Sequence, residues 1–405
     1  MTNRELAIKI IKRLHKAGRQ ALLAGGCVRD MLLNRAAKDY DVATDAHPDE
    51  VVKLFKRTLR IGAKFGVVMV MEQDQKVEVA TFRTESGYAD GRHPDTVEFA
   101  TAKVDAARRD FTINGMFYDP IEKKVLDFVG GRADLERGVI RTIGDAAARF
   151  GEDYLRMLRA VRFSTRLGFE IDQATCRAIC DLAGNITKIS GERIAVELEA
   201  IFADPGRRRA AELLVKTGLA GAIFPSMTVD DARFGIDVLG NLRKEIDFPL
   251  ALAAFFAIVD AGRAVRDIET LRLSGAHASH LKYLLDSRGV LLNADMSLAE
   301  LKLAVGKPYF QDLYELQWAI QQASGGSIAG LKAIRSRADQ LEGAQLRPKP
   351  LLDGHALIRV GVPPGPMVGL AHREMYIAQL GEEIATVEQA EQWLKKWLKK
   401  HNGTL

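Results

Sequence analysis

Hydrophobic positions in the first third of the chain switch between two periods. Leu6, Ile10 and Leu14 recur at helical spacing, predicting a helix over Arg4 to Ala17 with Asn3 as its cap and Gly18 as its stop. An unbroken apolar run then ends in Gly25-Gly26, and a short helix with Arg29 and Asp30 in its first turn follows. A second strand carries Asp39 and Asp41, which alternation places on one side of the sheet. Pro48 opens another helix through Val51, Val52 and Phe55. Two further strands read from Phe65 to Met71 and from Lys76 to Arg83. Strands and helices mix here without regular alternation, which predicts an α+β head: a small mixed sheet with helices against it.

Beyond Ile140 the pattern turns almost wholly helical, with no convincing strand between Asp153 and Ala203. Helix and turn signals continue from about 210 to 345, without evident chemistry. Val362-Pro-Pro-Gly-Pro makes a rigid turn near the end, and Trp393-Leu-Lys-Lys-Trp-Leu-Lys-Lys-His reads as an amphipathic basic helix. That helix suits a nucleic acid or a membrane surface, and equally an ordinary terminal helix with a solvated face.

Composition narrows the class. A chain of 405 residues is too long for one core, so several domains are expected. Hydrophobic residues at 47% and charged residues at 27% fit a soluble globular protein, and a net charge of +5 permits a nucleic-acid partner. Cys27, Cys176 and Cys180 form no disulfide framework or zinc spacing, and Cys176 and Cys180, one helical turn apart, read as two small buried residues. A reducing cytoplasm fits. The first residues lack a signal-peptide core, and no run approaches a membrane span.

The candidate chemistry concentrates around the two glycines. Without side chains, Gly25 and Gly26 let a phosphate approach the N–H groups that open the helix, and Arg29 adds a positive fork. Asp39 and Asp41 repel one another unless a cation lies between them, and a hard divalent ion such as magnesium suits their oxygens. Glu78 interrupts an apolar strand, either as a third carboxylate toward the same metal or on a solvated face. A polar loop from Arg83 to Val97 offers Arg83, Asp90 and Arg92 as substrate contacts. Arg108-Arg109-Asp110 is read as standing directly before an amphipathic helix, where it suits a ribose and phosphates, with Asn114 on a following turn. Asp153 and Arg156 lie at i, i+3 on one helix face, either as an ion pair or as an acceptor and donors matched to a base edge, and Arg159, Arg162 and Arg166 add positive charge. Ser190 caps a later helix that holds Glu192 in its first turn, and Arg207-Arg208-Arg209 is the densest basic triplet.

Taken together these motifs resemble the class II tRNA nucleotidyltransferase and bacterial poly(A) polymerase family of the polymerase β superfamily. The match runs through Gly25-Gly26-x-Val28-Arg29-Asp30 with Asp39-x-Asp41, Arg108-Arg109-Asp110-Phe111-Thr112-x-Asn114, Asp127-x-x-Gly130-Gly131-x-x-Asp134-Leu135, Glu152-Asp153-x-x-Arg156, and Ser190-x-Glu192-Arg193 with Glu197. The tail, with Gly354-His355-x-Leu357-Ile358 and Pro364-Gly365-Pro366, is similar to tRNA-type members. The resemblance implies a nucleotidyltransferase head over 1–139, a base-recognising neck over 140–210, and a tRNA-binding body and tail over 211–345 and 346–405. It implies that Asp39 and Asp41 bind two magnesium ions and that Gly25, Gly26 and Arg29 hold the triphosphate. Arg109 and Asp110 would lie near the ribose, Asp153 and Arg156 would read CTP or ATP, and Glu152 would orient Arg156. Arg159 and Asn114 join this nucleotide site. The Arg83 to Val97 loop corresponds to a mobile loop used in switching from C to A.

The implied partners are tRNA, CTP and ATP, with no DNA and no membrane, in a monomer or a dimer. Ile61-Gly-Ala-Lys-Phe-Gly lacks the Gly-Arg-Arg-Phe-Arg segment of poly(A) polymerases, which favours CCA addition to tRNA over poly(A) synthesis. Addition of A alone and a catalytically dead tRNA-binding protein stand as alternatives.

Overall fold

The computed structural model describes residues 1–62, 66–86, 96–341 and 346–401, and the chain divides into two compact units, residues 1–229 with 263–273 and residues 230–262 with 274–405. The first unit opens with α1 (Asn3–Lys16), β1 (Ala21–Ala24), α2 (Gly26–Leu32), β2 (Asp41–Thr44), α3 (Pro48–Leu54), β3 (Thr58–Gly62), β4 (Val67–Glu72) and β5 (Gln75–Thr81). A ribbon of β6 (Arg83–Ser86) and β7 (Thr96–Phe99) leads to α4 (Ala102–Ala107), β8 (Phe117–Asp119), β9 (Lys124–Leu126) and α5 (Gly131–Arg137). Next come β10 (Val139–Ile140), α6 (Ala146–Glu152), α7 (Leu155–Leu167), β11 (Glu170–Ile171), α8 (Gln173–Leu182) and α9 (Gly191–Phe202).

Seven strands form one mixed sheet in the order β3-β4-β5-β2-β1-β8-β9. Only β2 and β5 run parallel; the other neighbours pair antiparallel. Leu22, Leu23, Val42 and Ala43 are buried at its centre, and Leu6, Ile10 and Leu14 of α1 are buried with them. The predicted mixed sheet followed by helices is therefore what the chain forms.

Several local expectations need correction. Thr2, not Asn3, caps α1, because Thr2 and Glu5 satisfy each other's backbone N–H in a capping box. Asp39 lies outside β2: the ladder ends at the Ala24–Asp41 pair, since Gly25 turns away at φ +72° and leaves nothing opposite Tyr40 or Asp39 to pair. The ends of the Arg83 to Val97 loop pair as β6 and β7, β-prone Thr and Val closing the ribbon, while Asp90 and Arg92 lie outside the described residues. Residues 63–65 of the Ile61 to Gly66 stretch lie outside them as well. The Arg108-Arg109-Asp110 cluster follows helix α4 instead of preceding a helix, and a single 3₁₀ turn, Thr112–Asn114, comes after it. A short parallel pair, β10 with β11, stands where the neck was read as purely helical. Cys27 is buried, but Cys176 is half-buried and Cys180 exposed, so the two helix cysteines are not core residues.

One glycine fixes how the head meets its own connection to α5. A Cβ on Gly131 would fall onto the carbonyl oxygen of Thr112 and within 2.9 Å of Met116 Cγ, so only glycine lets these backbones pass.

The second unit is helical. Its Phe248–Phe255 helix is buried along its whole length, and the Gly275–Asp286 and Phe310–Ser324 helices pack against it. A separate core joins Leu357, Ala371, Met375, Leu394 and Trp397 near the end of the chain, so the basic terminal helix Val387–His401 is amphipathic as expected. Among the described residues no helix is long and apolar enough to cross a membrane.

The stretch from 210 to 345, which showed no chemistry in sequence, contains an ionic triad around a buried histidine, with Asp247 exposed and Asp312 half-buried. His280 Nδ1 lies 3.3 Å from an Asp247 oxygen and its Nε2 lies 3.3 Å from an Asp312 oxygen. Burial pushes the imidazole pKa down, but hydrogen bonding to Asp247 and Asp312 outweighs it and brings the value up to about 9. The ring stacks on Tyr309 at 3.9 Å. One oxygen from each carboxylate and one ring nitrogen lie within 4.8 Å of one another. The arrangement is an imidazolium held between two acids.

Candidate active site

The local structure of the first unit brings the candidate residues to one cavity of about 660 Å³. Gly25, Gly26, Arg29, Asp39, Asp41, Arg109, Asp110, Asn114, Asp153, Arg156 and Arg159 all line it. At the Gly25 turn, a Cβ would meet Arg109 Nη1 at 3.0 Å, so a side chain would displace the arginine as well as strain the backbone. The glycines thus clear space for Arg109 beside the start of α2. With only seven residues, α2 contributes little of its own beyond orienting Arg29 and Asp30.

Asp39 and Asp41 form the acidic end of the cavity, and Glu78 stands beside Asp41 on the next strand, outside the lining. Residues 42 and 79 are paired in the parallel ladder, which brings Asp41 level with Glu78 one step earlier. Asp41 is reached by solvent, yet crowding by the protein costs it hydration, and this effect, with repulsion from Glu78 and a smaller one from Asp39, pushes its carboxyl up to about 6. Arg109 pulls in the other direction. Among the described residues none of the three carboxylates has an ion-pair partner. Three hard oxygen donors without a protein cation fit a divalent ion, which is the chemistry the sequence pointed to. Glu78 is exposed and lies outside the cavity lining, while its charge acts on Asp41 across the ladder.

Most of the other charges are already spoken for. Asp105, 1% exposed and not singled out in sequence, accepts from both Arg108 and Arg109, and those two guanidinium groups hold its carboxyl below the usual range against the cost of burial. Arg109 also lies over the ring of Phe117 at 4.9 Å. Asp110 accepts four hydrogen bonds: from Phe111 N at 2.8 Å, Asn114 Nδ2 at 3.2 Å, and Arg159 Nε and Nη2 at 2.9 and 2.6 Å. Burial opposes its ionisation, but Arg159 keeps its pKa below the ordinary carboxylate value. Arg29, only 3% exposed, is bound to Asp30 at 2.7 Å and to Asn114 Oδ1 at 2.7 Å.

The neck departs from the expected single helix. Asp153 adopts an extended conformation, φ −155°, in a break between α6 and α7, and its carboxylate accepts from Leu155 N at 3.1 Å. It therefore shares no helix face with Arg156 and forms no ion pair with it. Arg156 pairs with Glu152, as does Arg149 at 2.9 Å, whereas Asp153 pairs with Arg193 of α9 at 2.7 Å. Arg149 also donates to the carbonyls of Ala107 and Arg108, at 2.7 and 3.2 Å, tying α6 to the Arg108-Arg109-Asp110 segment. Leu155, Leu158 and Phe163 form the buried stripe of α7 as expected. Of the basic triplet, Arg207 is buried and donates to the Phe202 carbonyl, and Arg209 pairs with Glu170, so both serve the fold.

Arg193, Arg149 and Asp105 were missed as site residues. Their types gave no signal, because each acts through a partner 4 to 42 residues away in sequence. Arg193 did stand within a family motif, yet nothing local showed that it would reach Asp153. Arg83 lies apart from the cavity lining; its backbone N–H donates to Asp105 at 3.3 Å and its carbonyl accepts from Arg108.

A mixed-sheet head bearing unpaired carboxylates beside a glycine turn, joined to a helical neck, defines a nucleotidyltransferase-type site. Residues 21–141 match the "Poly A polymerase head domain" and residues 168–230 the "Probable RNA and SrmB- binding site of polymerase A". The CCA-adding enzyme of Lactobacillus johnsonii is 34% identical over 393 residues, covering 95% of each chain, and that of Geobacillus is 46% identical over 214 residues, 53% of each. The crystal structure of the Bacillus stearothermophilus CCA-adding enzyme in complex with CTP superposes with a TM-score of 0.78 over 100% of both chains at 27% identity. A Thermotoga maritima CCA-adding enzyme complexed with tRNA shares the fold, with a TM-score of 0.68 over 97% of this chain and 95% of its own at 21% identity. The chain belongs to the CCA-adding enzyme family.

Proposed function

We propose that this protein adds CCA to the 3′ ends of tRNA, using CTP and ATP and releasing pyrophosphate. The observation that carries the reading is the pair of carboxylates, Asp39 and Asp41, without an ion-pair partner among the described residues, in a cavity also lined by the Gly25–Gly26 turn, Lys38 and several arginines. An RNA 3′-hydroxyl would attack the α-phosphorus of the nucleotide. Asp39 and Asp41, with Glu78 beside them, would hold two magnesium ions, which supply charge neutralisation and a lowered hydroxyl pKa.

The chain's own residues then bind and orient. Gly25 and Gly26 leave room for the triphosphate, and Arg109, braced by Asp105, presents positive charge beside it. Arg29 acts chiefly through Asn114, because Asp30 already neutralises it. Asp110 holds Arg159 toward the nucleotide site; with four donors on its oxygens it contacts a ribose only by exchanging one of them. Arg193 fixes the carboxylate of Asp153 and Glu152 fixes the guanidinium of Arg156, so an acceptor and donors are both oriented for a base edge. Arg83, Asp90 and Arg92 belong to the loop that accompanies the change from C to A.

The reading extends to the rest of the chain: a head over 1–139, a neck over 140–210, and a body and tail that bind tRNA, the tail including the basic face of Val387–His401. The protein acts in the cytoplasm as a monomer or a dimer. The test is Asp39→Ala and Asp41→Ala in the full chain: incorporation from CTP is abolished in each, while tRNA binding by gel shift is retained. Substantial transfer by both variants would refute the carboxylate assignment.

A further inference from the structure

Phe163 of α7 is 6% exposed, and three guanidinium groups share its ring. The carbon of Arg29 lies 5.2 Å from the ring centroid, that of Arg159 5.4 Å and that of Arg162 4.6 Å. Three like charges so close repel one another, and carboxylates offset them: Asp30 for Arg29 at 2.7 Å, Asp110 for Arg159 at 2.6 Å, and Glu197 for Arg162 at 2.7 Å and, more distantly, Arg159 at 3.9 Å. What no carboxylate does is join Arg29 to the two neck arginines, and the negative π face touches all three. A polar chain also joins Arg29 to Asp110, because Asn114 accepts from Arg29 through Oδ1 and donates to Asp110 through Nδ2. Arg29 enters from the element after the glycine turn, whereas Arg159 and Arg162 enter from the neck helix. Phe163 thus touches a guanidinium from each side. Its ring edge is fixed in turn by Phe111, 5.8 Å away at 79°.

We propose that Phe163 is a positioning residue for the nucleotide site: its π electrons, and not its volume alone, hold Arg29 and Arg159 at a set separation across the cavity. The role rests on the nucleotide reading above. A leucine in its place would fill similar space yet offer no quadrupole, so the guanidinium groups would separate and the cavity would lose its shape for a triphosphate and base together.

The experiment replaces Phe163 in the full chain with phenylalanines carrying one, two and three ring fluorines, which drain the π face while nearly keeping the shape. CTP and ATP dissociation constants are measured by calorimetry without RNA, alongside thermal midpoints and the split of KM and kcat in CTP incorporation. The proposal predicts stepwise weakening of both nucleotides, reaching about fivefold to tenfold with three fluorines, with an almost constant thermal midpoint and a rise in KM that exceeds the fall in kcat. Equal affinity across the series, with loss only in Phe163→Leu, would show packing and overturn the proposal. If the unsubstituted chain binds neither CTP nor ATP, the nucleotide reading itself fails and takes this role with it; a flat series in a chain that binds CTP removes the role of Phe163 alone.

Discussion

The Asp110–Arg159 pair offers a quantitative probe of the site. Both oxygens of Asp110 are filled, two of the four donors coming from Arg159, so Asp110→Asn turns an amide donor toward at least two existing donors. Arg159→Gln leaves the carboxylate without its counter-charge. Removing one member of a buried ion pair costs about 3–5 kcal/mol. Water from the cavity reaches the Arg159 side chain, which is 33% exposed, and screening brings the penalty just below that range. We take about 2.7 kcal/mol as the distortion passed to the nucleotide site, or about 100-fold in CTP affinity. Either single variant should therefore bind CTP about 100-fold more weakly by calorimetry. The double variant should be no more than about threefold weaker than the worse single, because the second change removes a charge already unpaired. A product of the two effects, about 10,000-fold in the double variant, would mean that the residues act independently and would refute the coupling.

Further predictions address other parts of the molecule. If Asp153 reads the base, Arg193→Ala should relax the choice of CTP over UTP in the ratio of kcat/KM values, as Asp153→Ala should, because it frees the Asp153 carboxylate; unchanged selectivity in both would remove the base-reading role. Since the folded pKa of His280, about 9, lies above its ordinary 6.5, its contribution of about 3 kcal/mol is fully present below pH 6.5 and is lost as pH rises through about 9. A thermal midpoint followed from pH 6 to 10 should therefore fall in the parent and change little in His280→Gln. Gly131→Ala should lower the melting temperature of the first unit sharply, whereas Gly221→Ala, a helical position with nothing within 4 Å of the added methyl, should leave it unchanged or raise it slightly.

What the sequence disclosed and what it hid divide along physical lines. Alternation and apolar runs identified the sheet around β1, β2 and β5, and the spacing of Leu6, Ile10 and Leu14 identified α1, because both signals are local. The glycine turn and the Asp39 and Asp41 pair were legible for the same reason. Strand ends were not: Asp39 looked like part of β2, but pairing depends on the partner strand, and β1 stops at Ala24. The break at Asp153 was hidden by helical spacing on either side, although an aspartate able to cap Leu155 N was in plain view. Bracing residues such as Arg193 and Asp105, and the triad of Asp247, His280 and Asp312, depend on side chains brought together by tertiary packing. No periodicity announces such partners.

CCA addition is decided by incubating the purified protein with tRNA transcripts lacking all three terminal nucleotides, with transcripts ending in CC, and with an unstructured RNA, each with CTP, ATP or both. It predicts three nucleotides added to the first transcript, one A added to the second, and then arrest. Activity confined to the CC-ended transcript would show an A-adding enzyme, long A tracts on the unstructured RNA would show a poly(A) polymerase, and no incorporation from any substrate would contradict the catalytic reading altogether.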